Sequence, residues 1–425
     1  LESIIREENL PYIPVYVPER LMDKFYNGFC NKTLWPLIHN LAPLAVFSQD
    51  YWQSYVEVNK LFLNALLSSW REIEDKETYI WVHDYHLMLL PGMLRDALQD
   101  VNVGFFLHIP FPPPETFAQL PWRRETLEGL LGADLIGFHT YEYTNNFIRS
   151  LSRIMNLESN MGNIIYNGRL IRADTFPMGI DFELFNSYGE KVKDRVREIV
   201  SSLGEKRIIF SVDRLDYTKG IYNRLLAYER LLDKDDKWHR KVVLILNIVP
   251  SRERVEQYQS MKRQIEEKVS EINGRFGSVE WVPILYHYRS LNWDELVAHY
   301  LACDVILVTP IKDGMNLIAK EFVASRSDLR GVLVLSEFAG SAKELGEALL
   351  INPNSVADLS QAIEIALEMS PEEQESRLRI MQERLKRYNI LKWGMEFVES
   401  LKSVGKERDK LKARELNERL IKKIV

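Results

Sequence analysis

Cysteine is nearly absent: Cys30 and Cys303 are the two in 425 residues. That excludes a disulfide framework and a cysteine-built zinc cluster, and both are expected as reduced thiols in or near the core. No run approaches the ~18 apolar residues of a membrane span. The opening stretch, LESIIREEN, has no basic region followed by an apolar one, so no signal peptide is visible and a cytoplasmic enzyme is expected. A basic excess is missing as well. Lys and Arg number 55 against 61 Asp and Glu, a net charge of −6. This argues against a general nucleic-acid binder, while an anionic substrate would still need a local basic pocket. There is no short-period repeat and no low-complexity tract. No Ser–His–Asp order and no Cys–His pairing offers a nucleophile. The chain begins with Leu1 rather than Met, as a piece of a longer protein would.

What is present is the material of a globular α/β protein. Hydrophobic residues make up 46% and charged ones 27%, and the length favours two domains. Short apolar runs alternate with amphipathic stretches. Strands are predicted at 13–17, 79–83, 103–109, 135–139 and 171–177, then at 208–213, 242–249, 279–284, 305–309, 331–336 and 348–352. Helices are predicted between them, among them Tyr51–Glu72, Leu87–Leu98, Arg123–Leu131 and Tyr143–Met155, then about 220–233, 252–272, 292–302, 315–326 and 355–369. Near-continuous Val/Ile/Leu strands separated by helices imply parallel sheets covered on both faces. Two such blocks predict two Rossmann-like, doubly wound domains facing across a cleft. The polar stretch 184–206, free of strand-like runs, sets the boundaries: residues 1–186, residues 187–388, and a charged helical segment 389–425. Trp393, Met395 and Phe397 form an apolar patch in that last segment, which is either a surface helix or one that packs back on the first domain.

In open α/β sheets ligands sit beyond the carboxyl ends of strands, so the loops there carry the chemistry. In SVDRLDYTKGI, Arg214 and Lys219 stand between a strand and a helix that starts at Gly220. Two cations beside a helix N-terminus make an anion site, unless they pair with Asp213 and Asp216. In TPIKDGMNLIAKEFVA, Gly314 allows a tight turn, and the amides of Met315, Asn316 and Leu317 would face outward as a phosphate cradle. Glu321, a turn further on, suits a vicinal ribose diol, and Asp313 suits sugar hydroxyls. Their plain alternatives are a solvated helix residue and a turn or cap residue. Asp84, in VHDYHLMLLP, is a cleft carboxylate or a helix N-cap. His83 and His86 beside it match no strong zinc spacing, and no metal site is expected. His108 ends an apolar strand at its carboxyl side, ahead of a proline-stiffened loop. Tyr26 and Trp35, in a segment expected to be loop-rich, are an aromatic wall for a sugar or ordinary core. Arg252 is a second anion contact or a solvent-facing charge among Glu253 and Arg254. Two anion sites would describe transfer from a sugar nucleotide to a sugar phosphate.

Together, YNGFCNKTLWPLIH, WVHDYHL, GFFLHIPFP, DRLDYTKGI, VPSRERVEQYQ, KDGMNLIAKEFVA and SEFAGSAKEL resemble the trehalose-6-phosphate synthase family of retaining glycosyltransferases, from about Pro11 to Trp393. The resemblance implies a GT-B architecture with a C-terminal helix returning to the first domain. It implies that Arg214 and Lys219 grip the donor diphosphate and Glu321 the uridine ribose. Asp313 would hold the donor glucose, with Gly314, Met315, Asn316 and Leu317 beside it and His108 near its 6-hydroxyl. Tyr26, Trp35 and Arg252 would form the glucose 6-phosphate site, and Asp84 would hold the acceptor sugar. The implied reaction joins UDP-glucose to glucose 6-phosphate with retention, the departing phosphate taking the acceptor proton. UDP-glucose is then a co-substrate and no cofactor is required, with no nucleic-acid or membrane partner. UDP is not separated from ADP or GDP by these residues, and homo-oligomers are left open. The family's N-terminal strand, glycine-rich loop and acceptor-phosphate arginine have no match here, so the N-terminal part is expected to be incomplete. A relative with another acceptor, such as glucosylglycerol-phosphate synthase, and a non-catalytic sugar-phosphate-binding regulatory module remain as alternatives.

Overall fold

A computed structural model describes residues 12–73, 78–252 and 256–424. The opening LESIIREEN lies outside them. The chain divides into two compact units, one of residues up to Phe176 together with those from Glu396, the other Pro177–Met395. Among the described residues no helix is long and apolar enough to cross a membrane.

The first unit is built on a six-stranded sheet: β1 (Tyr79–His83), β2 (Asn102–Phe106), β3 (Leu135–Phe138), β4 (Ser159–Asn160), β5 (Asn163–Tyr166) and β6 (Arg169–Thr175), in the order β1-β2-β3-β6-β5-β4. β1, β2, β3 and β6 are parallel, β5 runs antiparallel to β6, and β4 antiparallel to β5. Asn167 and Gly168, with φ of 49° and 73°, make the two-residue turn between β5 and β6. Asn-Gly favours that turn because both positions need positive φ. Gly104 on β2 and Gly137 on β3 leave room for the Phe397 ring: a Cβ at either would lie 2.7–2.8 Å from a neighbouring aromatic carbon. Phe397 is buried there and stacks on Trp81 at 4.2 Å between ring centroids. Met395 is exposed, and Trp393, in the second unit, is buried.

The second unit has six parallel strands: β7 (Arg207–Arg214), β8 (Val242–Val249), β9 (Ile284–Tyr288), β10 (Val305–Val308), β11 (Val332–Ser336) and β12 (Leu349–Ile351). Their order is β9-β8-β7-β10-β11-β12. Buried Val, Ile and Leu face both ways from the sheet into two apolar layers, as a doubly covered parallel sheet requires. Strand order reverses between β7 and β10. The loops after those two strands, Leu215–Gly220 and Thr309–Asn316, therefore flank the topological switch point, where such sheets bind ligands.

Several elements differ from expectation. The stretch 13–17 forms no strand, and Tyr12, Ile13 and Tyr16 are exposed. Pro14 removes a ladder donor from it, and Pro18 follows directly. The strand expected at 279–284 begins at Ile284, directly after Pro283. The helix expected from Leu87 starts at Leu90, with Pro91 in its first turn. Residues 184–206 are not a linker. Helices Phe182–Ser187 and Gly189–Leu203 bury Phe182, Phe185 and Val192 in the second unit's core, which places the break after Phe176.

Candidate functional site

In the second unit, β7 and β10 deliver two loops that are sewn together. The Ile311 amide donates to the Thr218 carbonyl at 2.7 Å. Lys219 Nζ lies 2.5 Å from Asp313 Oδ2, which also accepts from Asn316 Nδ2 at 3.0 Å. Burial pulls the Lys219 ammonium down, but Asp313, Asp213 and Asp216 outweigh it, so its pKa stands above the ordinary lysine value. Lys219 is thus a fixed cation at neutral pH. Arg214 ends β7 with an exposed side chain. Asp213 and Asp216, the alternative partners of these cations, also hold other residues. Asp213 binds Arg224, and Asp216 binds Thr218 and Arg252.

Arg224 was not singled out from the sequence. Its guanidinium is buried and donates to Asp213 Oδ2 (2.5 Å), Ser211 Oγ (2.7 Å), Thr309 Oγ1 (2.7 Å) and the Lys219 carbonyl (2.6 Å). One side chain thereby ties β7, the Lys219 loop and the loop after β10. At Gly220, φ is +67°, and a Cβ would stand 2.4 Å from the Thr309 carbonyl oxygen.

The turn Asp313–Leu317 is held from behind. The Asp313 amide donates to the Phe338 carbonyl at 3.2 Å, and the Ser341 amide to the Met315 carbonyl at 2.8 Å. Gly340 packs so closely that a Cβ would lie 2.0 Å from the Gly314 carbonyl oxygen. Gly340→Ala is expected to lower stability by about 1–3 kcal/mol by overpacking, read as a shifted urea midpoint with unchanged slope. Asn316 takes a left-handed backbone, φ 65°, and precedes the helix Leu317–Ser325. The first amides of that helix have no carbonyl four residues back and carry the positive end of its dipole. Glu321, on the same helix, accepts from the buried Tyr300 hydroxyl at 2.9 Å. Burial raises its pKa against that hydrogen bond, so further hydroxyl donors would stabilise the carboxylate.

Arg252 is neither solvent-facing nor open. Its side chain is 3% exposed, and Nη1 reaches Asp216 Oδ2 at 3.1 Å and the Tyr258 hydroxyl at 2.6 Å. Glu253 and Arg254 lie outside the described residues.

In the first unit, the carboxyl ends of β1, β2 and β3 carry His83, His108 and His139. Asp84 has φ 72° and ψ 169°, a backbone region that is nearly glycine-only and costs about 1–3 kcal/mol. It stands at the N-cap position of the 3-10 turn Tyr85–Leu87, but its side chain makes no capping bond: Oδ1 accepts from the His108 amide at 3.2 Å, and Oδ2 lies 3.8 Å from His86 Nδ1. His108 Nε2 and His83 Nδ1 are 3.0 Å apart. Burial first, and His83 second, push the His108 imidazole down to about 4. Its ring resonances are therefore expected to stay constant in an NMR titration above about pH 5.5. Because the folded value lies below the usual ~6.5, the unfolded chain binds this proton more readily. Its effect on stability is nil above that value and grows unfavourable as pH falls toward 4.

Tyr26 stacks on His86 at 5.9 Å, with planes 7° apart. His86, set aside in the sequence as a weak metal candidate, thus links Tyr26 to Asp84. Trp35 is 5% exposed and packs against His39 and Tyr85. The segment expected as loop-rich is helical from Asp23 to Ile38, wound wider than an α-helix up to Leu34. Tyr26, Asp84 and His108 are brought together, and Trp35 lies in the packing behind them. No group of three or more His, Cys, Asp or Glu is placed to hold a metal among the described residues.

The model of Glycosyltransferase family 20 matches residues 3–403. The chain belongs to this family. It is 47% identical over 402 residues to the bifunctional trehalose-6-phosphate synthase/phosphatase of Thermoproteus tenax, covering 94% of this chain and 54% of that protein. It therefore spans about half of that relative's length. It is 43% identical over 406 residues to the UDP-forming α,α-trehalose-phosphate synthase of Pichia angusta, covering 94% of this chain and 85% of that protein. Among solved structures, a UDP-forming α,α-trehalose-phosphate synthase from Burkholderia xenovorans in complex with glucose-6-phosphate superposes with a TM-score of 0.86 at 35% identity, covering 90% of this chain and 86% of that one. The two Rossmann-like units of this family 20 chain are those of the GT-B fold.

Proposed function

We propose that the chain is a retaining glucosyltransferase that moves glucose from UDP-glucose to glucose 6-phosphate, giving α,α-trehalose 6-phosphate and UDP. The observation that carries this is the Lys219–Asp313 pair at the switch point, with exposed Arg214 on one side and the Gly314 turn on the other. The UDP-forming name of the Pichia relative and the glucose-6-phosphate complex of the Burkholderia enzyme support the choice of substrates.

In this transfer the bond from the donor's anomeric carbon to the β-phosphate oxygen breaks. A bond to the acceptor's anomeric hydroxyl oxygen forms on the same face. The proton of that hydroxyl goes to the departing phosphate. Arg214, Lys219 and the amides of Met315, Asn316 and Leu317 stabilise charge that grows on the leaving diphosphate, the kind of preorganised stabilisation that dominates enzymatic rate gains. Glu321 takes the ribose hydroxyls. Asp313 and neutral His108 hold donor hydroxyls, and Asp84 and Tyr26 meet the acceptor sugar. Arg252 would exchange Asp216 for the acceptor phosphate. With two cations at the leaving group, no cofactor is required.

Purified chain incubated with both substrates is expected to release UDP in step with a phosphorylated, non-reducing disaccharide. UDP release that does not depend on glucose 6-phosphate would reject this acceptor.

A further inference from the structure

Three guanidiniums converge on one buried carboxylate in the first unit. Asp134 Oδ2 accepts from Arg95 Nη2 at 2.7 Å and from the Val103 amide at 2.9 Å. Its Oδ1 accepts from Arg169 Nη1 at 3.0 Å and Arg408 Nη1 at 3.1 Å. Arg408 also meets Asp409 at 3.2 Å, so three cations and two anions leave the group one positive charge in excess. Arg169 bears the strain: burial first, then Arg95, push its guanidinium down to about 10.

The donors are unequally used. Arg95 spends four N–H groups, on Asp134 and on the carbonyls of Gly132, Gln99 and Val101. Among the described residues Arg169, 14% exposed, bonds Asp134 and the Leu131 carbonyl alone. A guanidinium has five N–H donors, so five less two leaves three. Both arginines line a cavity of about 620 Å³, with Trp52 and Tyr166 in its wall and exposed Asp96 and Glu125 on its rim. Glu128, on the same rim, faces Arg124 at 3.9 Å. Asp134 immediately precedes β3, so the cavity lies at the amino edge of the sheet. Asp84 and His108 stand at its carboxyl edge, and none of the residues assigned to the transfer lines this space.

We propose that this cavity is a second binding site, for a small phosphorylated sugar. Its phosphate takes the unused N–H groups of Arg169 and Arg95, since a planar fork matches phosphate oxygens. The carboxyl oxygens of Asp96 and Glu125 accept hydrogen bonds, so a ligand body rich in hydroxyl donors fits them. Tyr166 suits the apolar face of a sugar ring, while Trp52 in the wall stacks on Trp122 and Tyr55. The volume admits one molecule of that size.

The test is calorimetric titration of the full chain, saturated with UDP, by glucose 6-phosphate. Arg169→Gln is expected to weaken one binding event roughly 10- to 100-fold, the worth of a lost hydrogen bond to a charged group, and to leave any other event unchanged. Because Arg169 also supports Asp134, Glu125→Ala is the companion variant. It is exposed, so the fold tolerates its loss, and the same event is expected to weaken several-fold. Isotherms of Arg169→Gln that match those of the parent chain would overturn the site. Inorganic phosphate binding there as tightly as glucose 6-phosphate would overturn its sugar part.

Discussion

Arg214→Ala is expected to lower turnover about 10²- to 10³-fold, the usual cost of one donor to developing charge, and to change stability by no more than about 0.5 kcal/mol, since the side chain is exposed. Lys219→Met is expected to lose at least as much turnover and, unlike Arg214→Ala, to lose stability. It strands Asp313, which sits at 2.5 Å from the ammonium with little solvent around it. Truncating one partner of such a pair leaves an uncompensated buried charge. The double variant Lys219→Met with Asp313→Asn separates the two effects. It is expected to regain most of the lost stability and none of the lost turnover. Steady-state UDP release and thermal melts on the same preparations read both. Recovery of turnover in the double variant would mean that Lys219 serves only to neutralise Asp313.

Arg224→Met is the second large effect, and it falls on folding. Its guanidinium is fully buried and holds Asp213 as well as the hydroxyls of Ser211 and Thr309 and the Lys219 carbonyl. A buried ion pair broken on one side typically costs about 3–5 kcal/mol. The same loss frees the Lys219 loop from the loop after β10, so activity is expected to fall below what the unfolded fraction explains. Adding Asp213→Leu removes the stranded carboxylate and is expected to restore part of the stability but not the activity. Urea unfolding followed by tryptophan fluorescence measures the first. Turnover per folded molecule measures the second.

The parallel sheets were legible because a strand buried on both faces must be apolar almost throughout, as β8 and β10 are. Where legibility failed, a local feature was outweighed or overlooked. Pro283 delays β9, and Asn167-Gly168 announces a hairpin that the polar residues around it obscure. Gly189–Leu203 looks like linker because most of its faces meet water, with only Val192 fully buried. The anion loops could be found from their place after strands. Their internal wiring could not, because Lys219 meets Asp313 across 94 residues and Arg224 meets Thr309 across 85. On the helix Ile221–Lys234, Arg224 carries no mark that separates it from a solvated arginine. Arg252 turns inward to Asp216 for the same reason: the partner is on another strand's loop.

The most direct measurement is a crystal structure of the chain with UDP. The expected result has the diphosphate within hydrogen-bond distance of Arg214, Lys219 and the amides of Met315, Asn316 and Leu317, with the ribose hydroxyls on Glu321. A diphosphate bound without touching either Arg214 or Lys219 would contradict the assignment of this loop pair as the donor site.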